Sequence, residues 1–421
     1  MQKLRKARIA AGTASQMKKR LLVIDQSDFQ NIPVGGSTTF LRTVVPNLCQ
    51  HFEVSLLGRS NDLSLHGRWT GNYLGSARFF AYGGLTSSSL IPGRIKTLFY
   101  LSRALKQIEL ENFDYLYFHQ VETAIPFLKR LQVKKILHLH GLANPLSVSR
   151  FPLLRNGVFQ SIYNAVFRYV KSHIDCVVSV SCPSGGPNEL VITRQDNFHY
   201  VPVCVDKERF VPLNKIACRK LINLPPSGIV FGYIGRLSKS KCVNRSIEFI
   251  HHLIDQGQDV RMIIVGDGEV RSDLSMLAET LSIADRIHFF PACEYEDLPE
   301  FYSAIEIFLM ASEAEGFPMV VLEALSCGVP ILSTDVGAIS TVVKDDVNGF
   351  IVSDFSPRGL AYKSGILLSG YASYSKEAVN STVGYSADRI AAKIAQIILS
   401  CPGLADVEES TEAVSAGKSV R

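Results

Sequence analysis

The chain has 421 residues, of which 47% are hydrophobic, 9% aromatic and 20% charged. That is longer than one hydrophobic core usually grows and globular in composition, which excludes a small module, a fibrous chain and a disordered one and predicts two domains. Forty-four Lys+Arg against 39 Asp+Glu leave only +5, too weak a balance over this length to imply nucleic acid, while anionic small substrates and membrane surfaces stay open.

Residues 1–20 are basic and rich in small side chains, and the first buried-strand pattern begins at Leu21. Met17-Lys18-Lys19-Arg20 reads as a natural start in front of a strand, so the segment before it is expected to be an upstream extension. The alternative is a basic arm for anionic lipid, which lacks an accompanying apolar face. From there short apolar runs alternate with helix-periodic stretches: Leu21–Asp25, Val54–Leu57, Tyr115–His119, Lys135–His140, Cys176–Ser181 and His199–Val203. Strands of this kind separated by helices predict a parallel α/β sheet. The pattern breaks over 210–228, where Pro212, Pro225, Pro226 and Gly228 cluster. It restarts with Ile229–Ile234, Arg261–Val265, Arg286–Phe290, Ile305–Met310, Pro330–Ser333 and Gly349–Val352. The expected organisation is an extension at 1–20, a Rossmann-like domain at 21–213, a second at 214–400 and a loose tail at 401–421. Ligands of such sheets sit at the carboxyl ends of the strands, so two halves facing across a cleft are expected to bind between them.

The stretch 150–171 places Phe151, Leu154, Val158, Ile162, Ala165 and Tyr169 on one helical stripe, with Arg150, Arg155, Arg168 and Lys171 around it. Such a stripe ordinarily packs into a core; lying on a membrane that bears a lipid-linked acceptor is the alternative. Nine scattered cysteines with no C-x-x-C pair point to a reducing compartment. No run approaches 18 apolar residues, and no apolar segment follows the basic start, so the expected location is cytoplasmic, with peripheral contact at the inner membrane face as an option.

The most informative segment runs from Ser312 to Ala324 (SEAEGFPMVVLEA). Gly316 and Pro318 mark a tight loop that feeds a helix, and free N–H groups at a helix start suit a phosphate. Glu323 lies in that helix among Val320, Val321, Leu322, Ala324 and Leu325, where a carboxylate needs a partner; the paired hydroxyls of a ribose would supply one, as would a salt bridge. Glu315 and Glu323, spaced E-x7-E around Gly-Phe-Pro, resemble the signature of the retaining glycosyltransferases of family 4, which have the two-domain GT-B fold. The resemblance continues through Gly235-Arg236-Leu237-Ser238 with Lys241, Val265-Gly266-Asp267-Gly268, Glu296-Asp297-Leu298-Pro299, Cys327-Gly328-Val329-Pro330, Thr334-Asp335-Val336-Gly337 and Asn348-Gly349-Phe350, in family order. It implies that Glu323 holds the nucleotide ribose and Glu315 sits by the donor sugar. The backbone around Gly316, Phe317 and Pro318 would face sugar and phosphate, and Arg236 and Lys241 would clamp the diphosphate.

The first half is similar more loosely. Gly35 and Gly36, after the first strand, resemble the family's Gly-Gly loop near the donor phosphate; a plain turn is the other reading. His140 matches the family's histidine near the reacting sugar. His138 shares its face by strand alternation, which predicts a stacked pair, and His119 reads equally as structural or catalytic. The sequence departs from the family at Val203 and Cys204 near the hinge, at Cys242 in place of a glycine after the clamp lysine, and at Thr341 in an often acidic position. With no D-x-D pair anywhere, protein cations rather than a metal are expected to meet the diphosphate. The resemblance implies a metal-independent hexosyltransferase that uses no cofactor. Its donor would be a nucleotide diphosphate sugar and its acceptor a saccharide or lipid-linked saccharide, as in polysaccharide or glycolipid synthesis. The rivals are a catalytically silent nucleotide-sugar-binding protein and an NAD-dependent oxidoreductase. The latter is suggested by Gly266-Asp267-Gly268 but carries Arg271 where the third fingerprint glycine belongs.

Overall fold

The computed structural model describes residues 18–29, 36–84, 93–129, 133–147, 152–183, 189–192, 197–313, 315–353 and 355–402. The first half builds an eight-stranded sheet from β1 (Arg20–Asp28), β2 (Glu53–Arg59), β3 (Trp69–Tyr73), β4 (Ala77–Ala81), β5 (Tyr115–Phe118), β6 (Lys134–Leu139), β7 (Cys176–Ser179) and β8 (Phe198–Tyr200), in the order β3-β4-β2-β1-β5-β6-β7-β8. Every pairing is parallel except β3 with β4. The second half is an all-parallel sheet of β9 (Ile229–Ile234), β10 (Val260–Val265), β11 (Ile287–Phe290), β12 (Ile307–Met310), β13 (Ile331–Thr334) and β14 (Gly349–Val352), ordered β11-β10-β9-β12-β13-β14.

Both sheets are buried on two faces, which is why their strands read as continuous apolar runs. In β1, Leu21 and Val23 enter one core cluster while Leu22 and Ile24 enter another on the opposite face. In β10, Ile263 and Val265 alternate likewise with Met262 and Ile264. One cluster runs from the first sheet through Val201, Val203, Val205 and Phe210 into the second, so the two halves share apolar packing at the hinge.

The structure departs from the sequence reading in five places. The β3–β4 hairpin is absent from the sequence reading because Gly71 and Gly75 punctuate a stretch that looks like loop. The stripe on 150–171 is not core: the helix is Gly157–Lys171, capped by Asn156 accepting from the Val158 N–H at 2.9 Å, and it buries Phe167 and Val170 while Val158, Ile162 and Tyr169 face outward. Phe151 and Arg150 lie outside the described residues. The last helix, Ala387–Ser400, does not stay with the second domain but crosses back onto the Gly36–Leu48 helix of the first. Just beyond it Cys401 is buried, not tail: Lys134 Nζ donates to its carbonyl at 2.6 Å. At the other end Lys18 and Lys19 are already anchored, by Cys49 O at 2.8 Å and Asp114 at 2.9 Å. All nine cysteines are free thiols, and no described helix is long and apolar enough to cross a membrane.

Candidate active site

Three loops at the carboxyl ends of second-domain strands converge. After β9 the chain runs through Gly235 and Arg236 into a tight turn at Lys239–Lys241. Gly235 has φ +151° and Gly266, ending β10, has φ +136°. A Cβ on Gly266 would strike the Gly235 carbonyl oxygen, and one on Gly268 the Leu237 carbonyl oxygen. These glycines are therefore demanded by backbone packed on backbone, a contact the Leu237 N–H closes by donating to Asp267 O at 3.0 Å. Arg271 fills the remaining space, its guanidinium donating to the carbonyls of Gly266 at 3.0 Å and Phe290 at 3.1 Å. A loop so occupied offers no pyrophosphate cradle, which removes the physical support for the oxidoreductase alternative. Cys242 holds φ +48°, ψ +40°, a left-handed conformation that costs a non-glycine residue about 1–2 kcal/mol. Its thiol donates to Lys239 O at 3.4 Å and closes the turn that carries Lys241.

Lys241 Nζ donates to Glu315 Oε1, and Ser312 Oγ donates to the same oxygen at 2.8 Å. The loops bearing them are stitched by the Glu313 N–H donating to Ser240 O at 2.9 Å and by Arg245 with Glu313 at 3.2 Å. Behind them Gly337, at φ +58°, lies so close that a Cβ would strike the Gly316 carbonyl oxygen, which accepts from the Ala338 N–H at 2.9 Å. Arg236 shares the Lys241 loop but stays exposed, and its guanidinium makes no hydrogen bond or ion pair among the described residues. Its carbonyl accepts from Tyr233 OH at 2.9 Å, which fixes the strand end.

Across the cleft, Gly316 abuts the first domain: a Cβ there would lie 2.7 Å from the His140 carbonyl oxygen. The expected His138–His140 pair is present, with ring centroids 4.9 Å apart and planes 10° from parallel. His119, from the end of β5, joins it, with Nδ1 2.9 Å from His140 Nε2. Burial holds His119 and His138 well below the usual imidazole range and pushes His140 down to about 4, so the column is neutral at pH 7. The same side is latched to the second domain by Arg42 with Glu296 and by Thr43 Oγ1 3.3 Å from Tyr295 OH.

Glu323 stands apart from the Lys241–Glu315 pair. It lies in the Met319–Ser326 helix, 3% exposed, and its Oε2 accepts from Tyr302 OH at 2.8 Å. Burial pushes this carboxyl up to about 7, against the opposing Tyr302 hydrogen bond. The Phe317 ring is buried against Tyr385, and Pro318 is buried too, so neither side chain lines the cleft. Gly36 opens the Gly36–Leu48 helix with open space around its Cα, and Gly35 lies outside the described residues. The sequence reading misses Tyr302, which reaches Glu323 from another helix with no motif to announce it. It also passes over Ser312, whose position three residues before Glu315 was a usable signal.

Residues 216–378 match the family model for glycosyl transferases group 1. Over 183 residues the chain is 31% identical to the D-inositol 3-phosphate glycosyltransferase of Xylanimonas cellulosilytica, a match covering 41% of this chain and 43% of that protein, so it spans less than half of the relative's length. Two solved structures are similar across nearly the whole chain. Sucrose-phosphate synthase from Thermosynechococcus elongatus superposes with a TM-score of 0.73 at 18% identity, covering 90% of this chain and 98% of that one. HepE of Anabaena, solved in complex with UDP-glucose, gives 0.66 at 17% identity, covering 90% and 99%. Residues 216–378 thus match the model for glycosyl transferases group 1, and the two facing Rossmann-like domains give the chain the GT-B fold.

Proposed function

We propose that the chain is a retaining, metal-independent hexosyltransferase that moves a sugar from a nucleotide diphosphate donor to a saccharide or lipid-linked saccharide. The observation that carries this reading is the preset Lys241–Glu315–Ser312 group beside the exposed Arg236, packed through Gly316 against His140 of the opposite domain. Departure of the sugar leaves growing negative charge on the diphosphate, and fixed cations in a cleft stabilise it. Arg236 and Lys241 would supply that charge, while Glu315, already held by two donors, would bind the donor sugar rather than attack it. With Glu315 so held, the donor phosphate itself would take the acceptor's proton on the front face. Tyr302 holds one oxygen of Glu323, and the other makes no hydrogen bond among the described residues, which suits a ribose diol. Gly36, at the start of the Gly36–Leu48 helix, would approach the phosphates, and the acceptor would bind mainly on the first domain. The UDP-glucose bound in the HepE structure supports a uridine diphosphate sugar as the first donor to try.

Calorimetric titration with UDP, GDP, ADP and their sugars, followed by assay of donor turnover and of the product anomer, tests the reading. Binding of one donor, turnover undiminished in excess chelator and retention of the anomeric configuration are expected. Binding without any donor hydrolysis would favour the silent nucleotide-sugar-binding protein, and activity that requires added magnesium or manganese would remove the metal-independent mechanism.

A further inference from the structure

The outward face of the Gly157–Lys171 helix takes no part in the site above. Leu153, Val158, Ile162 and Tyr169 are 70%, 64%, 54% and 55% exposed. Residues 158, 162 and 169 recur at helical spacing and form one ridge, diametrically opposite the buried Phe167. Contiguous apolar surface of this kind is uncommon on a soluble protein unless something covers it. The charge around it is one-sided. Residues 123–174 contain eight Lys and Arg and no Asp or Glu, although the whole chain carries only +5. Of these, Lys129, Arg155 and Arg168 are exposed. Beside the ridge opens a cleft of about 540 Å³ lined by Ile125, Pro126, Leu128, Lys129 and Tyr169. Tyr169 belongs to both, so the apolar surface continues from helix to cleft with a cation at its mouth.

We propose that this face docks the first domain on an anionic lipid bilayer. Aliphatic side chains along one ridge, an amphipathic tyrosine at its end, flanking cations and no acidic residue between positions 123 and 174 of the sequence match a helix lying in the headgroup region. The cations would sit at the phosphate level, where each adds attraction that salt screens. An acidic protein partner would call for fewer bare aliphatic side chains and more hydrogen-bonding ones. The proposal goes beyond the transfer reading and does not depend on it, because it is measured without turnover.

The test is sedimentation of the full chain with vesicles of neutral phosphatidylcholine and of phosphatidylcholine mixed with anionic phosphatidylglycerol. Binding to the anionic vesicles, weakened by salt, is expected. The double variants Ile162→Ser with Tyr169→Ser, and Arg155→Glu with Arg168→Glu, should each weaken it by at least about tenfold, with circular dichroism and nucleotide affinity unchanged. Removing residues 1–16 should leave it intact. The proposal is overturned by equal binding to neutral and anionic vesicles, by no binding to either, or by binding that both double variants retain. Loss of binding only on removing residues 1–16 also overturns it and assigns the contact to the N-terminal arm.

Discussion

Glu323 and Lys241 show how single side chains here are set by what surrounds them. Because burial lifts the Glu323 carboxyl to about 7, it carries roughly half a proton at neutral pH. Ribose hydroxyls donating to it would favour the ionised form, so nucleotide binding at pH 7 should release a fraction of a proton. Calorimetry in buffers of different ionisation enthalpy reads this, and Glu323→Gln should both weaken binding and abolish the release. The same shift has a sign for stability. Between about pH 4.5 and 7 the folded state keeps a proton that the unfolded state has lost, so Glu323 lowers stability as pH rises, by up to about 1.4 kcal/mol per unit. Urea titrations across that window should fall less steeply in Glu323→Gln, and parallel curves would return the residue to an ordinary carboxylate. At the clamp, Arg236→Ala and Lys241→Ala should each lower kcat by about 100- to 1,000-fold. The double variant should lose less than the product because both serve one charge. Near-normal kcat in both single variants at saturating donor would end the assignment.

At the scale of elements, β5 and β6 place His119, His138 and His140 in one column because strand alternation puts residues two apart on the same face. All three imidazoles are held below their ordinary range, and the unfolded chain binds protons first as pH falls through about 6.5. Their contribution to stability is present above that pH and lost on the way down toward 4, opposite in direction to Glu323. His138→Gln keeps a hydrogen-bonding partner for Tyr117 and should make the acid slope shallower, because the unfolded chain then gains one proton fewer as pH falls. Equilibrium unfolding at several pH values between 4 and 6.5 decides, and an unchanged slope would mean the column already titrates normally.

At the scale of the molecule, the two domains meet at a glycine-sized gap and a few latches. The gap is at Gly316, with the His140 carbonyl oxygen 2.7 Å from where a Cβ would sit. A methyl there forces one backbone to move, so Gly316→Ala should prop the cleft open. It is expected to cut kcat by about tenfold or more, in line with misplacement costs in preset sites, while nucleotide affinity of the second domain changes little. Equal losses in kcat and affinity would place the disturbance in the donor loop instead. Arg42 with Glu296 and Thr43 beside Tyr295 latch the same closure, and the returning Ala387–Ser400 helix braces the hinge from behind.

The amino-acid order by itself determined the parallel strands at the centre of both sheets, because strands buried on both faces must be apolar along their whole length. It also placed the motif residues at strand ends, since glycine is the residue that lets Gly235, Gly266 and Gly337 take positive φ. Local pattern extends no further than a turn or two of chain, and the remaining features are contacts between distant segments. Tyr302 beside Glu323, His119 beside His140, Gly316 against the His140 carbonyl and the last helix on the first domain were decided by tertiary packing. So was the orientation of Val158, Ile162 and Tyr169: periodicity gives a helix its stripe, but only the neighbouring elements decide whether that stripe meets protein or solvent.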